Sequence, residues 1–360
     1  MIDPRPPEPS RTPRREELTA AQRAAHVTIR DGKAGLPFSK GLLATSIMAA
    51  GLPPARAYHV AEKVEVALHA EGMAQVTTAE LRSLTENVLA EEVGNRYAET
   101  YRRWQIAQER DVPLIVLIGG TTGVGKSTVA TTVASRLGIV RIVSTDAVRE
   151  VMRGIFTREM MPALHASSFD VWTLIPEPLR GDDPVIAGFR QQVHAVAVGI
   201  TQLIRRAVVE GTDLIIEGAH IVPGVLALPD PTDAIVAQQI IAVDDAVIHA
   251  NHFAARDREA RTRGLRRYLD HFDDIRRIQD YLRGLALQRD VPVITSYGLD
   301  PTVSRVMEAV IKAATDPHAR ARREADQDDV LDSSEQGLRD IRLDPLSTTR
   351  GSAPRSSRQE

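Results

Sequence analysis

Eight residues near the middle of the chain carry the clearest chemistry: Gly120-Thr121-Thr122-Gly123-Val124-Gly125-Lys126-Ser127, followed by Thr128. They fit the pattern GxxxxGK[ST] at every fixed position. The glycines let successive backbone N–H groups turn inward around phosphate oxygens without Cβ clashes. A helix opening near Lys126 aims its positive end at the same anion. Lys126 is then a point charge for the β and γ phosphates of ATP, and the Ser127 hydroxyl a ligand for Mg²⁺. The apolar run PLIVLIG (113–119) before the loop and the helical pattern STVATTVASRLG after it supply the strand-loop-helix context the motif needs. Residues Gly120 to Thr128 are therefore expected to bind nucleotide.

A bound nucleotide does not define a reaction, which needs groups for the acceptor. A second apolar run ends Ser144-Thr145-Asp146. Asp146 is placed to accept a proton from an acceptor hydroxyl or to hold Mg²⁺ through water. The same carboxylate could instead cap the helix that follows. Arg149 and Arg153 lie four apart on one face of that helix, and planar guanidinium groups suit a carboxylate or phosphate. A third run ends Glu217-Gly218-Ala219-His220. Glu217 is expected to orient the magnesium shell, the alternative being a satisfied turn residue; His220 could touch the acceptor, although a lone loop histidine is more often structural. Between these runs, His165, Ser167 and Ser168 in LHASSFDVW (164–172) read as a substrate-cover loop, with Trp172 as a packing anchor. After Asp244-Asp245 a helical pattern carries Arg256, Arg258, Arg261, Arg263, Arg266 and Arg267. One or two of these, Arg256 and Arg258 first, are expected to act from a lid that neutralises transferring phosphate and excludes water. The catalytic set is Lys126, Asp146, Arg149 and Glu217, and the metal set is Ser127, Asp146 and Glu217.

The elements that must position these groups follow from five apolar runs, at 113–119, 138–144, 213–218, 238–243 and 291–295. Each is short, rich in β-branched residues and separated from the next by helical pattern. Buried runs without polar alternation, joined by helices, predict a parallel sheet covered on both faces, an α/β sandwich. The pattern from Phe189 to Glu210 predicts a long helix ending at Gly211. Four zones divide the chain: an arm over 1–25, a helix-rich block over 26–98, the sheet region over 110–315, and a tail over 316–360. Arm and tail read as mostly disordered. The second zone opens with a short extended stretch and the turn Asp31-Gly32, then shows helical patterns over 52–72 and 78–104.

Composition narrows the function classes. There is no cysteine, so disulfides, thiolate zinc sites and thiol catalysis are excluded,. The balance of 45 basic and 48 acidic residues gives a net charge of −3, which argues against a nucleic-acid partner,. No run reaches the ~18–20 apolar residues of a membrane span, and a cytoplasmic location is expected. Of the basic residues only 5 are lysine and 40 are arginine, an excess that first reads as genome bias.

The segments STDAVREVMR, LHASSFDVW, IIEGAHIVPG, HANHFAARD and RYLDHFDDIRRIQDYL together resemble the 2-phosphoglycerate kinases. The block VTIRDGKAGLPFSKGLLATSIMAAGLPPARAYHVAEKVEVAL resembles the ATP-cone that accompanies them, and the two resemblances span about residues 26–315. They imply a P-loop NTPase three-layer sandwich with about five parallel strands, preceded by a small, mainly helical ATP-cone-like domain. They also imply transfer of the ATP γ-phosphoryl group to the 3-hydroxyl of 2-phosphoglycerate, or of a related phosphorylated hydroxy acid. By that resemblance the P-loop and Asp146 take the nucleotide and catalytic roles, while Arg149, Arg153 and the 164–172 loop bind the acceptor. The N-terminal module would take a second ATP or another nucleotide. Two other readings stand beside this one. Asp146-x-x-Arg149 resembles the acceptor-activating pattern of polynucleotide 5′-kinases, against which stand the near-neutral charge and the lack of a stacking platform. A nucleotide-sensing regulator would hydrolyse ATP slowly and report adenylate state to a partner.

Overall fold

Among the described residues the first two strands, Thr28–Asp31 (β1) and Ala34–Pro37 (β2), pair antiparallel. The computed structural model describes residues 27–31, 34–70, 72–174, 176, 183–260 and 265–316. The arm over 1–25 and the tail from 317 lie outside them. Ser39 accepts a hydrogen bond from the Leu42 N–H and starts Lys40–Met48 (α1). After Pro54–Ala70 (α2), the short strand Gln75–Thr77 (β3) returns parallel to β1. Thr77 then opens Thr78–Glu92 (α3) with a capping box, its hydroxyl accepting from the Glu80 N–H at 3.1 Å while the Glu80 carboxylate accepts from the Thr77 N–H at 2.8 Å,. The single helix expected over 78–104 is two. Gly94, at φ +115, breaks it before Asn95–Gln108 (α4), because an ordinary residue resists that conformation,.

The second domain opens with Leu114–Gly119 (β4), buried at every position. A strand tolerates this only when both its faces are covered. Leu114, Val116 and Ile118 enter one core cluster, and Ile115 and Leu117 the other. The elements that follow are Lys126–Leu137 (α5), Ile142–Ser144 (β5), Thr145–Ile155 (α6), Pro184–Val209 (α7), Leu214–Glu217 (β6), Ile235–Ala242 (β7), Ala246–Ala260 (α8), Leu265–Asp270 (α9), Phe272–Gln288 (α10), Val293–Thr295 (β8) and Leu299–Ala314 (α11). The strand order is β5-β6-β4-β7-β8, with every neighbouring pair parallel. Helices α5 and α11 cover one face, and α7 and α10 the other. This is the expected three-layer sandwich. Helix α7 begins five residues before the predicted Phe189, because Asp183 caps it and Pro184 fits its first turn,.

Helix α4 belongs to both domains. Its Tyr101 enters the N-terminal core, while Trp104 and Ala107 enter the core against the sheet. Helix α11 completes the join: Glu308 pairs with Arg96 at 2.8 Å, and the Ser304 hydroxyl donates to the Gly51 carbonyl at 3.0 Å. Among the described residues no helix is long and apolar enough to cross a membrane.

Candidate active site

Strand register brings the chemistry together. Glu217 lies opposite Ile118 on β4 and opposite Ser144 on β5. Neighbouring strands are about 4.8 Å apart, so the phosphate loop, Glu217 and the start of α6 leave the sheet side by side. Within the loop, the Lys126 ammonium donates to the Thr121 carbonyl at 2.8 Å, and the Ser127 hydroxyl donates to Glu217 Oε1 at 2.9 Å. A cleft of about 410 Å³ borders Gly123 to Val129 and is closed by His252, Ser296, Gly298 and Leu299.

Helix α8 grips the loop from outside. His249 Nε2 donates to the Thr122 carbonyl at 2.8 Å, and His252 Nδ1 to the Gly123 carbonyl at 2.9 Å. Burial pushes His249 down to about 4, so it is a neutral donor at physiological pH,. Gly123, at φ +87, leaves no room for a side chain, since a Cβ there would sit 2.5 Å from the Phe253 ring. Sequence reasoning missed this histidine pair. The available sign was two histidines three apart on a helix, which by itself is a common surface pattern.

At the end of β5, Ser144 rather than Asp146 caps α6, its hydroxyl accepting from the Ala147 N–H at 3.1 Å. Asp146 is thereby released from the capping role and stands in the first turn with its side chain 76% exposed. Its Oδ1 lies 3.4 Å from Arg149 Nε. Arg149 is nearly buried and donates from one nitrogen to two carbonyls, Leu164 at 3.1 Å and Ala166 at 2.8 Å. It therefore binds the predicted cover loop to the helix that carries Asp146. Arg153 pairs with Glu150 on its own helix at 2.7 Å. His165 donates to the Phe156 carbonyl at 3.0 Å, and Ser168 is half-buried. Ser167 meets Arg267 at 3.2 Å. The side chains of Arg256 and Arg258 lie outside the described residues.

His220 stands behind the site, fully buried. Gln192 gives its amide N–H groups to the Ala163 carbonyl at 2.6 Å and the Ala166 carbonyl at 3.0 Å. Its oxygen, 3.1 Å from His220 Nε2, must then accept from the ring. That fixes the tautomer: Nδ1 is bare and accepts from the Thr145 hydroxyl at 2.8 Å,. Gly218 permits the approach of Thr145, whose oxygen would lie 1.8 Å from any Cβ there. In this arrangement His220 positions the cover loop and Thr145, the neighbour of Asp146, instead of meeting the acceptor.

Burial holds His220 at about 4, against a weaker pull upward from Asp146 and pushes downward from Arg149 and Lys126. The unfolded chain, with an ordinary histidine value near 6.5, takes up a proton that the folded protein refuses. Stability from the neutral ring is complete above about pH 6.5 and is lost as pH falls toward 4, by an amount on the order of 2–3 kcal/mol. The melting temperature should therefore fall between pH 7 and 4.5, and fall less in His220→Gln. An unchanged pH slope in that variant would place the acid sensitivity elsewhere.

The ATP cone domain family matches residues 25–110. The 2-phosphoglycerate kinase of Pyrococcus furiosus is 40% identical over 283 residues, which cover 79% of this chain and 92% of that protein. That of Methanopyrus kandleri is 38% identical over 298 residues, covering 82% and 90%. That of Thermococcus kodakarensis is 41% identical over 286 residues, covering 79% and 97%.

Proposed function

This chain belongs to the 2-phosphoglycerate kinase family, and from that premise we propose that it transfers the γ-phosphoryl group of ATP to the hydroxyl of 2-phosphoglycerate, forming 2,3-bisphosphoglycerate and ADP. The observation that carries this is the convergence of three adjacent strand ends, which set the phosphate loop, Glu217 and Asp146 side by side.

In this reading the inward N–H groups of Gly120 to Thr128 bind the phosphates, and Lys126 neutralises charge that grows on the γ-phosphoryl oxygens. Asp146 accepts the proton of the acceptor hydroxyl, whose oxygen attacks phosphorus as the bond to ADP breaks. Arg149, Gln192 and His220 hold the cover loop and the start of α6 in register, so that this carboxylate and the acceptor meet at a fixed place. Ser127 and Glu217 present a hydroxyl and a carboxylate, the hard oxygen donors magnesium requires, and the two already lie against each other,. A bound magnesium ion would supply charge neutralisation at the β and γ phosphates.

The N-terminal domain contains a separate cavity of about 330 Å³, bordered by Phe38, Leu42, Arg82 and Tyr101 among others. Its match to the ATP cone family supports a second nucleotide site there. A kinase fed by the adenylate pool fits the cytoplasm. The decisive measurement is ADP release by the purified chain with and without 2-phosphoglycerate. Stimulation of at least tenfold is expected, and none with 2-phosphoglycerate or related phosphorylated hydroxy acids would defeat the kinase reading.

A further inference from the structure

We propose that Arg267 receives the phosphate group already present on the acceptor, and that Asp170 competes with the acceptor for it. This rests on the kinase reading above and names the arginine that would bind the substrate's phosphate.

An acceptor bearing both a phosphate and a carboxylate needs cations, and of those expected near α6 Arg149 is engaged in building the site. Arg149 is turned to the Leu164 and Ala166 carbonyls, and Arg153 to Glu150. Arg267 differs. One of its terminal nitrogens meets Asp170 Oδ2 at 2.5 Å and Ser167 Oγ at 3.2 Å. Its guanidinium carbon stands 5.8 Å from the centre of the Phe169 ring. All three partners lie in the cover loop.

The pairing is not that of a finished structural ion pair. A guanidinium and a carboxylate meet best through two parallel hydrogen bonds. Here only one carboxylate oxygen is used, and Asp170 Oδ1 is buried without a hydrogen-bond partner. The Arg267 side chain is 51% exposed while Asp170 is 15% exposed. Only the arginine end of the pair is open to solvent, and a phosphate offering two oxygens to the planar fork would supply the second hydrogen bond that Asp170 does not,.

What is firm is the place from which Arg267 reaches. Its neighbour Tyr268 stacks on Phe253 at 5.0 Å and 8°, and Phe253 fills the space beside Gly123 of the phosphate loop. Phe169 meets Tyr268 edge-on at 6.0 Å. Rings thus fix the base of Arg267 between the phosphate loop and the cover loop, while its charged end stays accessible.

Steady-state kinetics of the full chain test the assignment. Arg267→Ala should raise the KM for 2-phosphoglycerate at least tenfold, leave that for ATP within about twofold, and erase the preference for 2-phosphoglycerate over unphosphorylated glycerate. Asp170→Asn should move the other way, lowering the KM for 2-phosphoglycerate. Arg267→Lys, which keeps charge without the fork, should fall between wild type and Arg267→Ala and guards against loss of fold. If Arg267→Ala and Asp170→Asn both raise that KM, or both merely lower the melting temperature, the pair is structural and the proposal fails. If wild type turns over 2-phosphoglycerate and Arg267→Ala does so with an unchanged KM, only this proposal falls. If wild type shows no turnover with any phosphorylated hydroxy acid, the kinase reading falls and takes this one with it.

Discussion

Lys126→Ala should lower acceptor-dependent ADP release by about 10²–10³-fold, the usual cost of removing one positioned donor from a developing oxyanion. The ammonium already lies 2.8 Å from the Thr121 carbonyl, held over the turn that would wrap the phosphates. Its loss removes a charge that acts most strongly when negative charge moves onto the γ-phosphoryl oxygens, so kcat should fall more than ATP affinity. Lys126→Arg should not rescue it. A planar fork cannot replace a compact point charge in a loop whose backbone closes around the same anion. The fold should survive, because Lys126 opens α5 at a half-exposed position and the core side chains of α5, Val129 and Val133 among them, point away from it. Initial rates at saturating ATP, beside melting curves, make the check. A rate within fivefold of wild type would mean that Lys126 does not contact the transferring group.

The parts of this site that the sequence makes legible are local. A strand, a glycine-rich turn and a helix start are written within twenty consecutive residues around Lys126. The acidic groups at 146 and 217 follow from one rule, that chemistry gathers at the carboxyl ends of parallel strands. What escapes are contacts between distant segments. His249 meets the Thr122 carbonyl across 127 positions of chain, and nothing near either residue announces the other. The aromatic contacts of Phe169, Phe253 and Tyr268 join the cover loop to two helices by packing alone. The roles of Arg149 and His220 show a subtler gap. Both stand where the pattern puts them, but their hydrogen bonds run to carbonyls and to Gln192, a residue with no mark in the sequence. Strand β7 illustrates a limit of apolar runs: it starts at Ile235, three residues before the predicted 238, because Ile235, Val236 and Ala237 continue the strand on the far side of Gln238 and Gln239, and the fully buried Gln239 does not end it.

The second large effect should come from Asp146→Ala, with transfer reduced by about 10²–10⁴-fold, the range for losing a positioned general base. The structure separates this loss from collateral damage. Ser144 caps α6, so the helix keeps its first hydrogen bond when the carboxylate is removed. An acidic residue in a first helical turn contributes about 0.3–1 kcal/mol, which sets the expected loss of stability. Arg149 loses one contact but keeps the Leu164 and Ala166 carbonyls, so the cover loop should hold its place. Ser127 lies against Glu217, so the nucleotide side should also stand without Asp146. ATP affinity should accordingly stay within about threefold of wild type while transfer to 2-phosphoglycerate falls by about 10²–10⁴-fold. Asp146→Asn should be as impaired as the alanine variant, since it keeps the shape but cannot take the proton. Isothermal titration with a non-hydrolysable ATP analogue, paired with single-turnover transfer, distinguishes the outcomes. Equal losses in binding and transfer would move Asp146 from the acceptor hydroxyl to the nucleotide and its metal, and the base would have to be sought elsewhere in the cleft.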